Sequence, residues 1–285
     1  MLELLWDVLK DTVADGVKML PFLFAAYLLI EYIEHKSAGR LERALKGFGR
    51  FGAVGGALLG CVPQCGFSAA AANLYAGRVI TVGTLIAVFL STSDEAIPVL
   101  LAHPGSIGLI GKLLLVKIVI AVAAGFIIDC FFVKPASDRD TQDHLKKMCT
   151  HCHCGDHNLF GSALRHTLQI FLFIFLFSFV LNFLIGWAGE EQISRVLMQN
   201  SLLQPVIAGI FGMIPNCASS VILTELYLAG SLSFGSAVAG LSAGAGVGLA
   251  VLFKVNHNVK ENIAIVVGLW VIAVICGILL QVVGV

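Results

Sequence analysis

The sequence predicts an all-α integral membrane protein, built as an inverted repeat whose proline-broken, partly re-entrant helices meet at the membrane midplane. Three observations support this fold class. The 285 residues are 58% hydrophobic and only 13% charged, whereas soluble domains carry about 25% charged residues. Apolar stretches long enough to cross a bilayer recur along almost the whole chain. Two of these stretches contain the same Pro-x-Cys interruption.

The predicted elements follow from the distribution of apolar and polar residues. In the first part of the chain they are a span at 17–35, an amphipathic helix at 38–49, a stretch at 51–77 interrupted at Pro63, a stretch at 79–102 interrupted at 91–95, and a span at 107–133. After a polar segment they are a span at 164–188, a polar helix at 190–200, a stretch at 202–229 interrupted at Pro215, a small-residue stretch at 231–253, and a span at 261–284.

The two parts of the chain resemble each other. Residues 41–65 align with residues 193–217 without a gap, at a constant offset in residue number. The matched pairs are Arg43 with Arg195, Leu45 with Leu197, Gly60 with Gly212, Pro63 with Pro215, Cys65 with Cys217, and Tyr75 with Tyr227. A shared Gly-x-x-Pro-x-Cys within the same order of elements predicts an internal duplication. The domains are then a first repeat at 1–133, a linker at 134–160 and a second repeat at 161–285.

The loop charges predict that the two repeats are inverted. The loop after the first span carries Lys36, Arg40, Arg43, Lys46 and Arg50, whereas the equivalent loop carries Glu190, Glu191 and a single Arg195. Cytoplasmic loops collect Lys and Arg, so the first loop is expected inside and its counterpart outside. The linker at 134–160 is then cytoplasmic and both termini are extracytoplasmic. This makes the chain a multi-pass protein of a cell membrane, such as the bacterial inner membrane.

The paired interruptions predict a transport site. Pro63 and Pro215 each remove a helical N–H and clash with the preceding turn, while Gly60 and Gly212 permit a sharp bend. Broken helices from inverted repeats commonly meet at the midplane and form the substrate site of secondary transporters. A plain proline kink that only packs helices together is the alternative interpretation.

The second interruption, "STSDE", places two adjacent carboxylates within an apolar stretch. A charge at bilayer depth is costly and is a functional candidate by default, although a surface loop between two short segments is the alternative. The counterpart at 241–246 has no acid but is rich in glycine. The predicted transport site therefore comprises Cys65, Cys217, Asp94, Glu95, Asn216, Ser93, Asn73 and Glu225.

The linker contains a cluster of sulfur and imidazole side chains, "CTHCHCGDHN". Thiolates and imidazoles suit zinc, copper and other borderline or soft ions. The predicted metal ligands are Cys149, His151, Cys152, His153, Cys154 and His157. A transition-metal ion at this cluster is the one cofactor that the sequence suggests, and an unstructured segment without metal is the alternative.

Several of these motifs resemble a known family. The pair "GCVPQCGFSAAAANLYAGRVI" and "GMIPNCASSVILTELYLAGSLS", with "STSDEAIPVLL" and the His/Cys-rich linker, is similar to the ten-helix heavy-metal exporters. Members of that family are called arsenic efflux proteins or manganese transporters. The paired Pro-x-Cys breaks are also distantly similar to the organoarsenical permeases. The resemblance covers nearly the whole chain and implies an integral membrane exporter.

The cargo stays open at the level of sequence. Cys65 and Cys217 favour arsenic species or soft metals, whereas Asp94, Glu95 and the amides of Asn73 and Asn216 suit Mn²⁺. No Walker A motif occurs, so protons or an ion gradient are the expected driving force. The expected partners are the metal or metalloid, protons and membrane lipids, without nucleic acid, and a homodimer is allowed. The alternatives to an exporter are an ion channel, an organoarsenical permease and, disfavoured by the Cys61–Cys65 spacing, a membrane thiol oxidoreductase; no enzymatic activity is expected.

Overall fold

The structure is a computed structural model. It describes residues 52–62, 65–93, 96–102, 107–132 and 203–284, together with individual helical positions between 6 and 28 and between 161 and 183. Every regular element within the continuous ranges is an α-helix. The helices are α1 (Gly52–Gly60), α2 (Cys65–Ala76), α3 (Val82–Ser91), α4 (Ala96–Ala102), α5 (Ile107–Phe132), α6 (Gln204–Gly212), α7 (Cys217–Leu228), α8 (Phe234–Ala243), α9 (Val247–Val255) and α10 (Val259–Val283).

The first and last residues of the helices recur at a constant difference in residue number, the one that relates Cys65 to Cys217. Helix α6 begins and ends at this offset from α1, and the same holds for α7 relative to α2 and for α8 relative to α3. Helix α10 also begins at this offset from α5, while α9 begins one position earlier relative to α4. We refer to α1–α5 as the first half and to α6–α10 as the second half. Each half thus contains four short helices followed by one long helix.

Burial separates central from outer helices in both halves. Among the described residues, four segments are long and apolar enough to cross a membrane. Val82–Leu101 and Phe234–Val255 are 81% and 89% buried, whereas Ile107–Phe131 and Val259–Val283 are each 28% buried. The broken segments α3–α4 and α8–α9 therefore form the centre of the bundle. The long helices α5 and α10 lie outside, with apolar faces suited to contact lipid.

Glycine contacts pack the central helices against the outer ones. A Cβ atom on Gly83 of α3 would overlap the carbonyl oxygen of Gly125 on α5, and one on Gly235 of α8 would overlap that of Gly277 on α10. Small residues let membrane helices approach closely enough for strong van der Waals contact. The same contact, made at equivalent positions of the two halves, positions α3 and α8 at the centre of the molecule.

Equivalent hydroxyl side chains begin the two central helices. Thr81 caps α3 by accepting from the Thr84 N–H, and Ser233 caps α8 by accepting from the Ser236 N–H. In the first half, Asp129 of α5 adds a further acceptor for Thr81 Oγ1 and for the Gly83 N–H, at 2.8 and 2.9 Å. Capped N–H groups stabilise a helix start that would otherwise carry unsatisfied donors.

The structure contains one helix break that the sequence analysis did not predict. The stretch 231–253, for which the sequence analysis named no interruption, is broken at 244–246 between α8 and α9. Gly246 has φ of +50°, a backbone conformation open to glycine but costly for other residues. The predicted interruption at 91–95 falls between α3 and α4. The predicted helices at 38–49 and 190–200 and the linker at 134–160 lie outside the described residues.

Candidate transport cavity

A cavity with several hydroxyl and amide side chains in its lining lies where helix breaks from the two halves meet. The space between its walls, including the part that is open to the surroundings, amounts to about 260 Å³. Its lining comes from the ends of α3, α6 and α8 and from the starts of α7 and α9. The lining residues are Thr92, Ser93, Gly212, Asn216, Ser219, Ser220, Leu223, Gly240, Leu241, Gly244 and Gly246.

The break between α6 and α7 forms one wall. Helix α6 ends at Gly212, and α7 starts at Cys217 after the segment that contains Pro215. Asn216 occupies the N-cap position of α7 in extended conformation and makes no side-chain capping bond there. The Ser219 hydroxyl donates to the Asn216 carbonyl at 2.7 Å. This wall therefore presents an amide and two hydroxyls, those of Ser219 and Ser220, to a small space.

The break between α8 and α9 approaches the same wall through backbone. A Cβ atom on Gly212 would overlap the carbonyl oxygen of Gly240, and one on Gly244 would lie 2.8 Å from the carbonyl oxygen of Gly212. Only glycine lets these two backbones come so close. Peptide groups of Gly240, Gly244 and Gly246 are thus brought to the edge of the cavity.

The end of α3 forms the opposing wall. Ser93 is 2% exposed, and its hydroxyl donates to the Ser91 carbonyl at 3.2 Å. Thr92, the C-cap of α3, donates from both N–H and hydroxyl to the Val88 carbonyl. A Cβ on Gly60 at the end of α1 would overlap both Ser91 Oγ and that Val88 carbonyl. Gly60 therefore holds α1 against α3 as Gly212 holds α6 against α8.

Lys117 is a site residue that the sequence analysis missed. It is fully buried in the middle of α5. Its ammonium donates to the carbonyl oxygen of Thr92 and, at 2.9 Å, to that of Leu241. Both acceptor residues line the cavity. The available signal was a lysine in the middle of a long apolar helix, which is a functional candidate on the same grounds as a buried carboxylate.

The structure brings together some of the predicted transport residues. Ser93 from the first half and Asn216 from the second line the same cavity, as does Gly212. Cys217 is buried at the start of α7, directly after Asn216, and is not among the side chains described as lining the cavity. Asn73 is buried elsewhere, in α2, where it donates to the Ala69 carbonyl at 2.8 Å.

Other predicted residues lie away from the cavity or outside the described part of the chain. Glu225 is exposed on α7. Cys65 is described only as the first residue of α2. The residues outside the description are Pro63, Asp94, Glu95, Cys149, His151, Cys152, His153, Cys154 and His157. Among the described residues, no three His, Cys, Asp or Glu side chains are grouped closely enough to hold a metal ion.

A second polar cluster joins the two halves at the turn between α2 and α3. Arg78 donates to both carboxylate oxygens of Glu261 in the first turn of α10, at 2.5 and 2.8 Å, and the Tyr75 hydroxyl donates to the same carboxylate. The hydrogen bonds to Glu261 raise the pKa of Arg78 above its usual value. Arg78 has φ of +57°, and its counterpart in the second half, Gly230, has φ of +73°.

The chain matches the family described as "Putative, 10TM heavy-metal exporter" over residues 4–190 and 168–284. No curated protein and no solved structure matches the chain. The family match covers almost the whole sequence, including both Pro-x-Cys motifs, and it agrees with the resemblance that these motifs carry. The apolar spanning helices and this match together make the chain an integral membrane protein of the ten-transmembrane heavy-metal exporter family.

Proposed function

We propose that this protein exports a metal cation or a metalloid species through the cavity between the broken helices of its two halves. The observation that carries the proposal is the convergence of Ser93, from the end of α3, with Asn216, from the start of α7, on one small polar cavity. Irregular backbone at membrane depth is tolerated only where it is buried in protein or lines a watery cavity. In secondary transporters, broken helices from the two repeats surround the substrate site at the membrane midplane.

The chemistry of the described lining favours a hard cation as cargo. Its side chains supply hydroxyl and amide oxygens, from Ser93, Asn216, Ser219 and Ser220, and glycines form much of the remaining lining. Oxygen ligands suit Mn²⁺, whereas thiolates suit arsenic species and soft metals. Asp94 and Glu95 follow Ser93 directly in the chain and would add carboxylate oxygens. Mn²⁺ is therefore the first cargo to test, and arsenite is the second because Cys65 and Cys217 flank the breaks.

We also propose that the two halves are inverted and alternate in opening the cavity to the two sides of the membrane. The constant spacing of the helix bounds supports a duplication, and the basic loop at 36–50 against the acidic loop at 190–195 supports the inversion. Single cysteines at Ala38 and Gly189, in a cysteine-free background, should react with an impermeant thiol reagent from opposite sides. Reaction from the same side would exclude the inversion.

Proton exchange is the proposed driving force. The sequence has no Walker A motif for nucleotide binding, and the adjacent carboxylates Asp94 and Glu95 are the groups proposed to exchange protons for cargo. A group that carries either a proton or the cargo, but not both, couples the two movements. Export that is unchanged when the proton gradient is collapsed by an uncoupler would exclude this coupling.

The His/Cys cluster at 149–157 is proposed to bind metal in the cytoplasm and to adjust the rate of export without forming part of the route. Joint replacement of Cys149, Cys152, Cys154, His151 and His153 should leave export present at a lower rate. Complete loss of export in a normally inserted protein would place the cluster on the route.

Transport by everted membrane vesicles tests the proposed function. Vesicles with the protein should accumulate ⁵⁴Mn²⁺ or arsenite in a saturable, proton-dependent manner, and vesicles without it should not. Cys65→Ser and Cys217→Ser separate the cargoes, because serine replaces a thiolate poorly on a soft ion but is tolerated when Mn²⁺ is carried. Single-channel currents in place of saturable flux would favour a pore, and no movement of Mn²⁺, Zn²⁺, Cd²⁺ or arsenite would refute the proposal.

A further inference from the structure

Lys117 places a positive charge at the junction of the two halves. Its side chain is 0% exposed, and its ammonium donates to the Thr92 carbonyl of the first half and to the Leu241 carbonyl of the second. Both acceptors line the cavity. The lysine thus lies against the proposed transport route, although its helix, α5, is one of the outer helices.

The Thr92 and Leu241 acceptors are both carbonyl groups at helix C-termini. Thr92 is the C-cap of α3, and Leu241 lies in the last turn of α8, which ends at Ala243. The last carbonyls of a helix have no partner within the helix and carry partial negative charge. In membrane transporters, freed carbonyls and half-helix C-termini of this kind coordinate Na⁺. The ammonium of Lys117 lies where such an ion would be bound.

We propose that Lys117 is a tethered cation that occupies an alkali-cation site between the ends of α3 and α8, so that transport requires no free Na⁺ or K⁺. If the lysine side chain were removed, the ligand expected at this site is a small monovalent cation. The part of this inference that concerns transport rests on the proposed function, whereas the cation site itself rests only on the carbonyl geometry.

The second half provides the comparison. The counterpart of Lys117, at the offset that relates the two halves, is Leu269, which is also 0% exposed and packs within the apolar core. Equivalent positions of the two long helices therefore carry a lysine in the first half and an apolar leucine in the second. Burying an ammonium is costly, so a lysine that served packing alone would be replaceable by an apolar side chain of similar length.

Chemical rescue tests the site directly. Lys117→Ala, purified in detergent, is compared in choline chloride, methylammonium chloride and sodium chloride at equal ionic strength. Choline is too large for the vacated space, whereas methylammonium replaces the end of the lysine. We expect methylammonium or Na⁺ to raise the melting temperature of this variant by roughly 3–5 °C at about ten times its Kd. Neither salt should change wild type relative to choline.

Leu269→Ala is the matched control, because it empties an equally buried position of the equivalent helix without removing a charge. Its melting temperature should be the same in the three salts. Equal melting temperatures of Lys117→Ala in the three salts would overturn the proposal. If Lys117→Ala cannot be purified in choline, its recovery from membranes solubilised in choline and in methylammonium is compared, and equal recovery likewise overturns it.

A transport measurement tests the consequence for coupling. Wild-type vesicles should accumulate ⁵⁴Mn²⁺ equally in choline and in sodium medium, whereas Lys117→Ala should require sodium or methylammonium. Lys117→Met, which fills the space without charge, should be inactive in every salt, and normal transport by this variant would contradict the role of the charge. Failure of wild-type vesicles to move any cargo would refute the proposed function, while the melting temperatures would still decide the cation site.

Discussion

The two halves of the molecule build the same five helices in the same order, but they place different chemistry in them. The long helix carries Lys117 in the first half and Leu269 in the second, both fully buried. The turn after the second helix of each half carries Arg78 in one case and Gly230 in the other, both with positive φ. The backbone geometry is thus common to the halves, and these charges belong to the first half.

Comparing the halves separates the contacts that both contain from the charged residues that only the first half contains. The glycine contacts between Gly83 and Gly125 and between Gly235 and Gly277 occur in both halves, because they determine how closely the central helices approach the outer ones. The polar side chains at the cavity differ between the halves: Lys117 of the first half donates to carbonyls at its edge, whereas the equivalent residue of the second half is Leu269. An exporter assembled from two similar halves can therefore have an asymmetric site.

The largest expected effect comes from a carboxylate that only the first half has. Asp94 has Gly246 at the equivalent position of the second half. Asp94→Asn should lower export by more than about 100-fold, since even outer partners of a metal site are commonly worth 10–100-fold. The rate of ⁵⁴Mn²⁺ or arsenite accumulation in everted vesicles measures the loss.

Asp129→Asn is the control for this change. Asp129 lies in the same half but caps α3 through Thr81 and Gly83, away from the cavity, so its amide should preserve export with only a small loss of stability. Near-normal export by Asp94→Asn, at normal abundance in the membrane, would show that this carboxylate has no role in transport.

An intermediate effect is expected at the contacts that the two halves share. Gly212→Ala should destabilise the protein by about 1–3 kcal/mol, as overpacking usually does, because the added methyl would overlap the Gly240 carbonyl. Gly60→Ala should have a similar cost, because its methyl would meet Ser91 Oγ and the Val88 carbonyl. Gly268→Ala on α10 is the control, since nothing lies within 4 Å of its Cβ position. Thermal unfolding in detergent measures all three, and equal melting temperatures for Gly212→Ala and Gly268→Ala would contradict the close approach.

The smallest effect is expected at the turns with positive φ. Arg78→Ala loses the ion pair with Glu261 and keeps the left-handed strain, whereas Arg78→Gly loses the pair but relieves a strain of about 1–2 kcal/mol. Arg78→Gly should therefore be the more stable of the two variants. Gly230→Ala adds strain alone, because its Cβ has no neighbour within 4 Å, and should cost about 1–2 kcal/mol. A melting temperature of Arg78→Gly below that of Arg78→Ala would show that the backbone at Arg78 is not strained.

The sequence predicted the positions of three helix breaks but not the fourth. Pro63, Pro215 and the acidic "STSDE" each interrupt an apolar stretch in a way that hydropathy and helix propensity detect. The break at 244–246 depends on Gly244 and Gly246, and glycine alone is tolerated within helices. In the structure the Gly212 carbonyl packs against this backbone, which is a contact between residues distant in the chain and therefore not visible to hydropathy or helix propensity.

The candidate site was likewise predictable only in part. Ser93 and Asn216 were singled out because they adjoin the breaks, and both line the cavity. Asn73 and Glu225 were included for their chemistry, but one is buried against its own helix and the other is exposed. Packing decides which face of a short helix is turned toward a neighbour. Helices α2 and α7, which carry Asn73 and Glu225, have no clear apolar stripe from which the buried face could be predicted.

The sequence by itself determined the membrane class, the family and the offset between the repeats, because hydropathy and repeated motifs are local properties of the chain. Only the tertiary structure decided that Lys117 lies between the carbonyls of Thr92 and Leu241, which are distant from it in the chain. The physical reason is that a buried ammonium is satisfied by whatever acceptors packing brings to it. The Thr92 and Leu241 acceptors are backbone groups, which carry no signature of their own in an amino-acid sequence.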